Sequence, residues 1–149
     1  MEIHFGEEAL KVLKLARDVR RDQGLPVDRP EDLLVALSSH ASVAKEVLAS
    51  FGLSTRSILG YFEDLDLETA RPKTLPTDQL RFKTIKDRAI MWAQNMESPY
   101  VEPCHLLLSV IGEKRGYVQG CLFEHNTLPT EIGDRVREHL ASLNVSALV

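Results

Sequence analysis

The stretch that decides the fold is RPEDLLVAL, from Arg29 to Leu37, and it has a counterpart, EPCHLLLSV, from Glu102 to Val110. Both place a proline and two polar residues ahead of an apolar run, and the two stretches begin 73 positions apart. They differ at the position after the proline, where Glu31 in the first stretch becomes Cys104 in the second. A chain that repeats such a phrase at a fixed offset is typical of an internal duplication.

The repeat extends over most of the chain, because apolar positions of the first half fall on apolar positions of the second. At the offset of 73 the matched pairs are Ala9 with Phe82, Val12 with Ile85, Ala16 with Ala89, Val19 with Trp92, Leu33 with Leu106, Leu34 with Leu107 and Leu37 with Val110. One extra residue raises the offset to 74, which gives Val43 with Tyr117, Leu48 with Leu122 and Ile58 with Ile132. Gly52 then matches Asn126, and these two residue types tolerate the left-handed conformation that often ends a helix.

Apolar residues recur at helical spacing, and strict alternation over six or more residues appears nowhere, which predicts an all-α fold. The spacing places eight helices at about 6–23, 30–39, 43–51, 54–64, 78–97, 103–112, 116–125 and 129–142. We therefore predict one domain over residues 1–149, built as two tandem four-helix repeats with pseudo-twofold symmetry. Repeat one covers about 4–64, a connector covers about 65–77, and repeat two covers about 78–142.

Composition limits the possible functions. The chain has 149 residues, of which 44% are hydrophobic and 27% charged, as in a soluble globular domain. A net charge of -4 argues against nucleic-acid binding, and the lack of a long apolar run argues against a membrane span. With two cysteines and no basic-then-apolar start, the expected location is the cytoplasm.

Enzymatic motifs are missing from the sequence. It contains neither the G-x-x-x-x-G-K-[ST] phrase of a nucleotide-binding loop nor a G-x-S-x-G nucleophile phrase, so we expect no catalysis and no cofactor. A metal site built from Cys104, His105, Cys121 and His125 is a weaker alternative, since Cys121 and His125 are four residues apart on a predicted helix. Cys121 aligns with Val47, however, which favours a buried cysteine that packs as a small hydrophobe.

The order of these motifs resembles the double N-terminal domain of the Clp ATPases, of the ClpA and ClpC type. That repeat carries F-T-E-x-A, then G-T-E-H-x-L-L-x-x-L, then G-V-A-x-x-V-L-x-x-L-G-V. Here the first half reads FGEEALKVLKLA, RPEDLLVAL and SVAKEVLASFGL, and the more divergent second half reads EPCHLLLSV and GYVQGCLFEHNTL. The resemblance covers about residues 5–140.

The resemblance implies a non-catalytic domain that docks protein substrates or adaptor proteins for a Clp-type AAA+ unfoldase and its protease. The expected partners are such substrates or adaptors and Clp-type ATPase or protease subunits, without nucleic acid or membrane. An alternative is a stand-alone accessory regulator of a Clp protease complex, like the chloroplast ClpT-like proteins, which would place the chain in the plastid stroma.

The predicted protein-binding site comprises the two polar turns that open the LLxxL-like helices, because helix N-termini expose unpaired N–H groups. Its residues are Arg29, Glu31, Asp32, Glu102, Cys104 and His105. A second interpretation makes Glu31 part of a capping box with Asp28. In some ClpC-like relatives the matching glutamates of both repeats hold phosphoarginine, but Cys104 replaces one of them here, and prolines replace the family threonines. The two turns are therefore not expected to share one ligand.

Overall fold

The computed structural model describes residues 3–25, 27–68, 76–114 and 117–148, and in these ranges it contains eight helices and one small sheet. The helices are α1 Glu7–Asp22, α2 Pro30–Ser39, α3 Val43–Ser50, α4 Thr55–Glu68, α5 Asp78–Asn95, α6 Pro103–Ile111, α7 Val118–Glu124 and α8 Pro129–Leu148. Each predicted helix is present, so the all-α prediction is confirmed.

Helices α2 and α6 form the centre of the molecule. Every residue of α6 is buried, and so is every residue of α2 except Ser39. Helix α1 packs along α2 and α5 along α6, while α2 and α6 also contact each other. The outer helices cross between the repeats, with α3 against α8 and α4 against α7, so that each repeat covers part of the other.

The duplication is confirmed by matched burial. Leu33, Leu34 and Leu37 are fully buried, and so are their counterparts Leu106, Leu107 and Val110. Leu48 and Leu122, further along the chain, are likewise fully buried. Because burying a leucine or isoleucine is worth roughly 1.5–3 kcal/mol, these paired positions account for much of the hydrophobic stabilisation in each repeat.

The backbone conformation is repeated between the two halves as well. In the described residues, positive φ angles occur at Gly24 (69°), Gly52 (75°), Glu97 (55°) and Asn126 (53°). They form two pairs, 24 with 97 and 52 with 126, at the offsets of 73 and 74. Each N–H donates to the carbonyl three residues earlier, at distances of 2.9–3.1 Å. The predicted Gly52–Asn126 match is thus confirmed, whereas the use of Glu97 in this conformation was not foreseen.

Three features differ from the prediction. Strands β1 (His4–Phe5) and β2 (Tyr100–Val101) pair in parallel, with His4 opposite Tyr100, and are too short to show alternation in sequence. Helix α4 continues to Glu68 and α8 to Leu148, beyond the predicted ends at 64 and 142, because no glycine or proline interrupts either extension. Of the predicted connector, residues 65–68 are helical and residues 69–75 lie outside the described ranges.

We expect Glu97→Gly to raise the free energy of unfolding by about 1 kcal/mol, because glycine adopts a positive φ without the steric cost that a side chain brings. Gly24→Ala, at the equivalent position, should lower it by a similar amount, and chemical denaturation measures both changes. Gly60→Ala is the control, since Gly60 lies inside α4 with open space around it and should tolerate alanine without loss. Destabilisation by Glu97→Gly would contradict the proposed backbone role.

Candidate functional site

The first of the two predicted turns is closed by a buried ion pair. Arg29 is the N-cap of α2, and its guanidinium donates to Asp32 through Nε (3.0 Å) and Nη2 (2.8 Å). Burial raises the pKa of Asp32 despite this partner. For Arg29, burial acts to lower the pKa, but the hydrogen bond and charge of Asp32 outweigh it and the pKa is raised. The alternative capping box of Asp28 with Glu31 is wrong, since Asp28 instead pairs with Arg20 at 3.0 Å.

The second turn is closed by the residues at the equivalent positions, but here the acidic residue is the N-cap. Glu102 is the N-cap of α6 and forms a capping box with His105: its carboxylate accepts the His105 backbone N–H, and its own N–H donates to His105 Nδ1 at 2.8 Å. Burial lowers the pKa of His105, which keeps the imidazole neutral and able to accept. Arg29 and Asp32 thus correspond to Glu102 and His105, with a basic and an acidic residue exchanged.

A second pair of equivalent positions shows the same exchange. In repeat one, Glu8 of α1 contacts His40 after α2, with 2.5 Å between Oε2 and Nε2, and this hydrogen bond lowers the pKa of Glu8. In repeat two, Arg81 of α5 donates to Glu113 after α6 at 3.2 Å. Since 8 matches 81 and 40 matches 113, the first helix of each repeat is held by a polar contact in which the acidic residue changes sides between the copies.

Glu31 connects the two repeats. Its Oε1 accepts from the Tyr117 N–H at 3.3 Å and lies 3.8 Å from Arg81 Nη2, while Arg81 also donates to Asp78 at 2.7 Å. Its other oxygen, Oε2, is buried and has no hydrogen-bond partner among the described residues. A carboxylate at position 31 is therefore stabilised by a cation of the opposite repeat, in addition to the charge of Arg29 beside it.

This contact explains why Cys104 replaces the second glutamate. The pseudo-twofold counterpart of Arg81 is Glu8, so a carboxylate at position 104 would have no equivalent guanidinium, and the charge of the neighbouring Glu102 already acts on this position. Cys104 avoids this conflict as a neutral group, since burial raises the pKa of its thiol to about 11. We therefore expect the residue types at 8, 81, 31 and 104 to be coupled.

The expected exposed face is not found. Arg29, Glu31, Asp32, Cys104 and His105 are all at most 5% exposed, and Glu102 is half-buried. The expectation of accessibility is wrong because these side chains fold back on their own turns or reach across to the other repeat. Protein binding by these residues stays a prediction.

An acidic cleft of about 380 Å³ nevertheless opens beside α2. Its carboxylates come from three helices, Asp22 from α1, Glu31 and Asp32 from α2, and Glu63 and Asp66 from α4, with Arg29 as the cation among the lining residues. Val35, Leu59 and Phe62 add apolar surface. Asp22 and Glu63 are exposed at the rim. No sequence pattern indicated that Asp22, Glu63 and Asp66 would converge on Glu31, since only the packing of α1 and α4 around α2 brings them together.

The cysteine of α7 packs as predicted. Cys121 is fully buried, as is its counterpart Val47, and burial raises the pKa of its thiol to about 12. His125 is instead engaged with its own helix, with 2.8 Å between Nδ1 and the Cys121 carbonyl oxygen. Among the described residues no three His, Cys, Asp or Glu side chains are grouped as a metal site. No helix within these residues combines the length and apolarity needed to cross a membrane.

The arrangement of eight helices in two pseudo-symmetric repeats is the fold of Clp N-terminal domains. The N-terminal domain of the chaperone ClpD from Arabidopsis thaliana superposes with a TM-score of 0.71 at 13% identity, covering 93% of this chain and 95% of that one. The Hsp104 N-terminal domain from Candida albicans superposes with a TM-score of 0.73 at 15% identity, covering 93% of each.

A structure described in connection with a malarial protein secretion system is also similar, with a TM-score of 0.70 at 15% identity over 91% of this chain and 93% of that one. No family model and no curated protein sequence matches the chain. The likeness is therefore one of fold, which agrees with the resemblance seen in the sequence motifs.

We predict that Cys104→Glu will lower the free energy of unfolding by about 3 kcal/mol or more, because it buries a carboxylate without a cation. Cys104→Val, a neutral change of similar size, should cost less than about 1.5 kcal/mol. Adding Glu8→Arg to Cys104→Glu should recover part of the loss, with a coupling energy above about 1 kcal/mol in a double-mutant cycle. Strictly additive effects would show that positions 8 and 104 do not interact.

Lowering the pH from 7.5 to 5.5 should weaken the fold through His105. The pKa of His105 is lowered in the folded state. At pH values near and below the ordinary histidine pKa of about 6.5, the unfolded chain therefore binds more protons than the folded chain, and the free energy of unfolding decreases as the pH is lowered. His105→Gln keeps a capping-box side chain but does not titrate. It should therefore reduce the dependence of the unfolding free energy on pH, as measured by urea unfolding at each pH. Leu108→Met, a core change on the same helix, should change the unfolding free energy by the same amount at every pH and leave its dependence on pH unchanged. Equal slopes for wild type and His105→Gln would contradict the assignment.

Proposed function

We propose that this chain is a non-catalytic protein-binding domain that docks substrates or adaptor proteins for a Clp-type AAA+ unfoldase. The observation that carries the proposal is the acidic cleft, which combines five carboxylates with a single guanidinium among its lining residues. The Clp N-terminal fold supports the same conclusion. In this proposal Glu31 and Asp32 contribute negative charge from the wall of the cleft. The residues of the second turn, Glu102, Cys104 and His105, do not line this cleft.

The chemistry of the cleft selects a cationic side chain. Asp22 and Glu63 are exposed at the rim, where a cation can contact them directly, and the buried carboxylates of Glu31 and Asp32 add negative charge from the wall. Leu59 and Phe62 offer apolar surface on which the methylene groups of a lysine or arginine can lie. A cleft of about 380 Å³ accommodates one such side chain of a protein segment. We propose the cytoplasm, or the plastid stroma, as the compartment, in keeping with two free buried thiols.

The test compares a labelled ten-residue peptide carrying one arginine with the same peptide carrying neutral citrulline. The wild-type chain should prefer the arginine peptide by about fivefold in fluorescence anisotropy, corresponding to about 1 kcal/mol. Glu63→Lys should abolish the preference, because it reverses an exposed charge at the rim, and the melting temperature should stay within a few degrees.

Glu124→Lys is the matched control, since Glu124 is also exposed, lies on α7 and does not line the acidic cleft. The same variants test the ATPase part of the proposal when the chain replaces the N-terminal domain of a ClpA-type or ClpC-type unfoldase. Degradation of a fluorescent protein bearing the arginine peptide should slow with Glu63→Lys alone. Equal binding of both peptides, or equal effects of the two lysine variants, would refute the role of the cleft.

A further inference from the structure

A second groove, of opposite charge, lies between the C-terminal half of α1 and the first turns of α5. It is open, has a volume of about 770 Å³, and is named here the basic groove. Its five cationic residues are Arg17, Arg20, Arg21, Lys83 and Lys86. Asp28 is its one acidic lining residue. On a chain whose net charge is -4, this is a strong local concentration of positive charge.

Part of this charge is left uncompensated within the described structure. Arg20 pairs with Asp28 at 3.0 Å, and Lys83 pairs with Asp87 at 3.1 Å in an exposed contact that is weakened by solvent. Arg17 and Arg21 are exposed, lie one helical turn apart, and make no ion pair with any residue in the described ranges. The α1 side of the groove therefore presents two guanidinium groups that are available to a ligand.

The pseudo-twofold relation explains why the groove is open. Its lining residues Val27 and Asp28 correspond, at the offset of 73, to Tyr100 and Val101 of β2, and residues 77–78 correspond to β1. At the pseudo-twofold equivalent of this position, the strands β1 and β2 pair. Here no such pairing forms in the described residues, because α5 already begins at Asp78, whose carboxylate is buried against Arg81.

We propose that the basic groove binds a short acidic segment of a partner protein, seated at the position whose pseudo-twofold equivalent is closed by strand pairing. Arginine guanidinium groups bind carboxylates through paired, charge-assisted hydrogen bonds, and Arg17 and Arg21 are spaced to engage neighbouring acidic residues. The lining adds Leu80 and Phe82, which suits a segment that mixes acidic and apolar side chains.

A protein segment fits these observations better than a nucleic acid. A nucleic acid carries closely spaced charge over a long path, whereas the cationic surface here is confined to one groove. Asp22, next to Arg21 on α1, already belongs to the acidic cleft. An extended polyanion that left the groove would therefore meet carboxylates on this side of the molecule.

The test uses a fluorescein-labelled nine-residue peptide with four glutamates and a matched peptide with four glutamines. The wild-type chain should bind the glutamate peptide, and the affinity should weaken at higher salt. Arg17→Gln with Arg21→Gln should reduce that affinity by about tenfold, since both changes remove exposed charges that face the ligand. Lys45→Gln with Arg56→Gln is the control, because it removes the same net charge from exposed positions on α3 and α4 and should leave binding unchanged.

Three results would overturn the proposal: equal binding of both peptides, wild-type affinity in the Arg17 and Arg21 variant, or an equal loss in the control. A twelve-nucleotide single-stranded DNA that binds more tightly than the peptide, with the same dependence on Arg17 and Arg21, would replace the protein partner by a nucleic acid. The inference does not rest on the acidic cleft, because the two sites share no lining residue. Glu63→Lys should leave binding of the glutamate peptide intact, so each proposal can fail without the other.

Discussion

The mutual burial of α2 and α6 is the constraint on which the rest of the structure depends. Two short helices that are apolar around almost their whole circumference cannot be stable at a surface, so each must be surrounded. The other helices of both repeats provide that cover, and the crossing of α3 to α8 and α4 to α7 follows from it. Their polar first turns are buried as a consequence, which is why Arg29, Asp32 and His105 must find partners inside the protein.

Polar contacts are kept in position while the acidic partner changes place between the repeats. Arg29 with Asp32 corresponds to Glu102 with His105, and Glu8 with His40 corresponds to Arg81 with Glu113. A duplicated fold requires a contact at each of these places but does not require the same sign in both copies. Once Arg81 replaces an acid at the position of Glu8, a carboxylate is favourable at 31 and unfavourable at 104.

The same divergence gives the molecule two chemically different surfaces. The acidic cleft collects carboxylates around the α2 turn, whereas the basic groove lies where the pairing of β1 and β2 has no counterpart. Both use residues of α1, with Asp22 directed to one and Arg21 to the other. A pseudo-symmetric scaffold can in this way present two surfaces of opposite charge without changing its core.

The sequence by itself determined the helices, the duplication and the buried leucines, because apolar periodicity and a fixed offset are local properties that survive in one dimension. It also indicated the left-handed turn at Gly52 and Asn126 from residue type alone. It could not show that Glu31 faces Arg81, or that Glu63 and Asp66 join it in one cleft, since these contacts connect residues far apart in the chain. Nor could it separate a buried polar turn from an exposed one, because a helix N-terminus has the same residues in both settings. Only the packing of one repeat on the other decided these points, through the cost of leaving a buried charge without a partner.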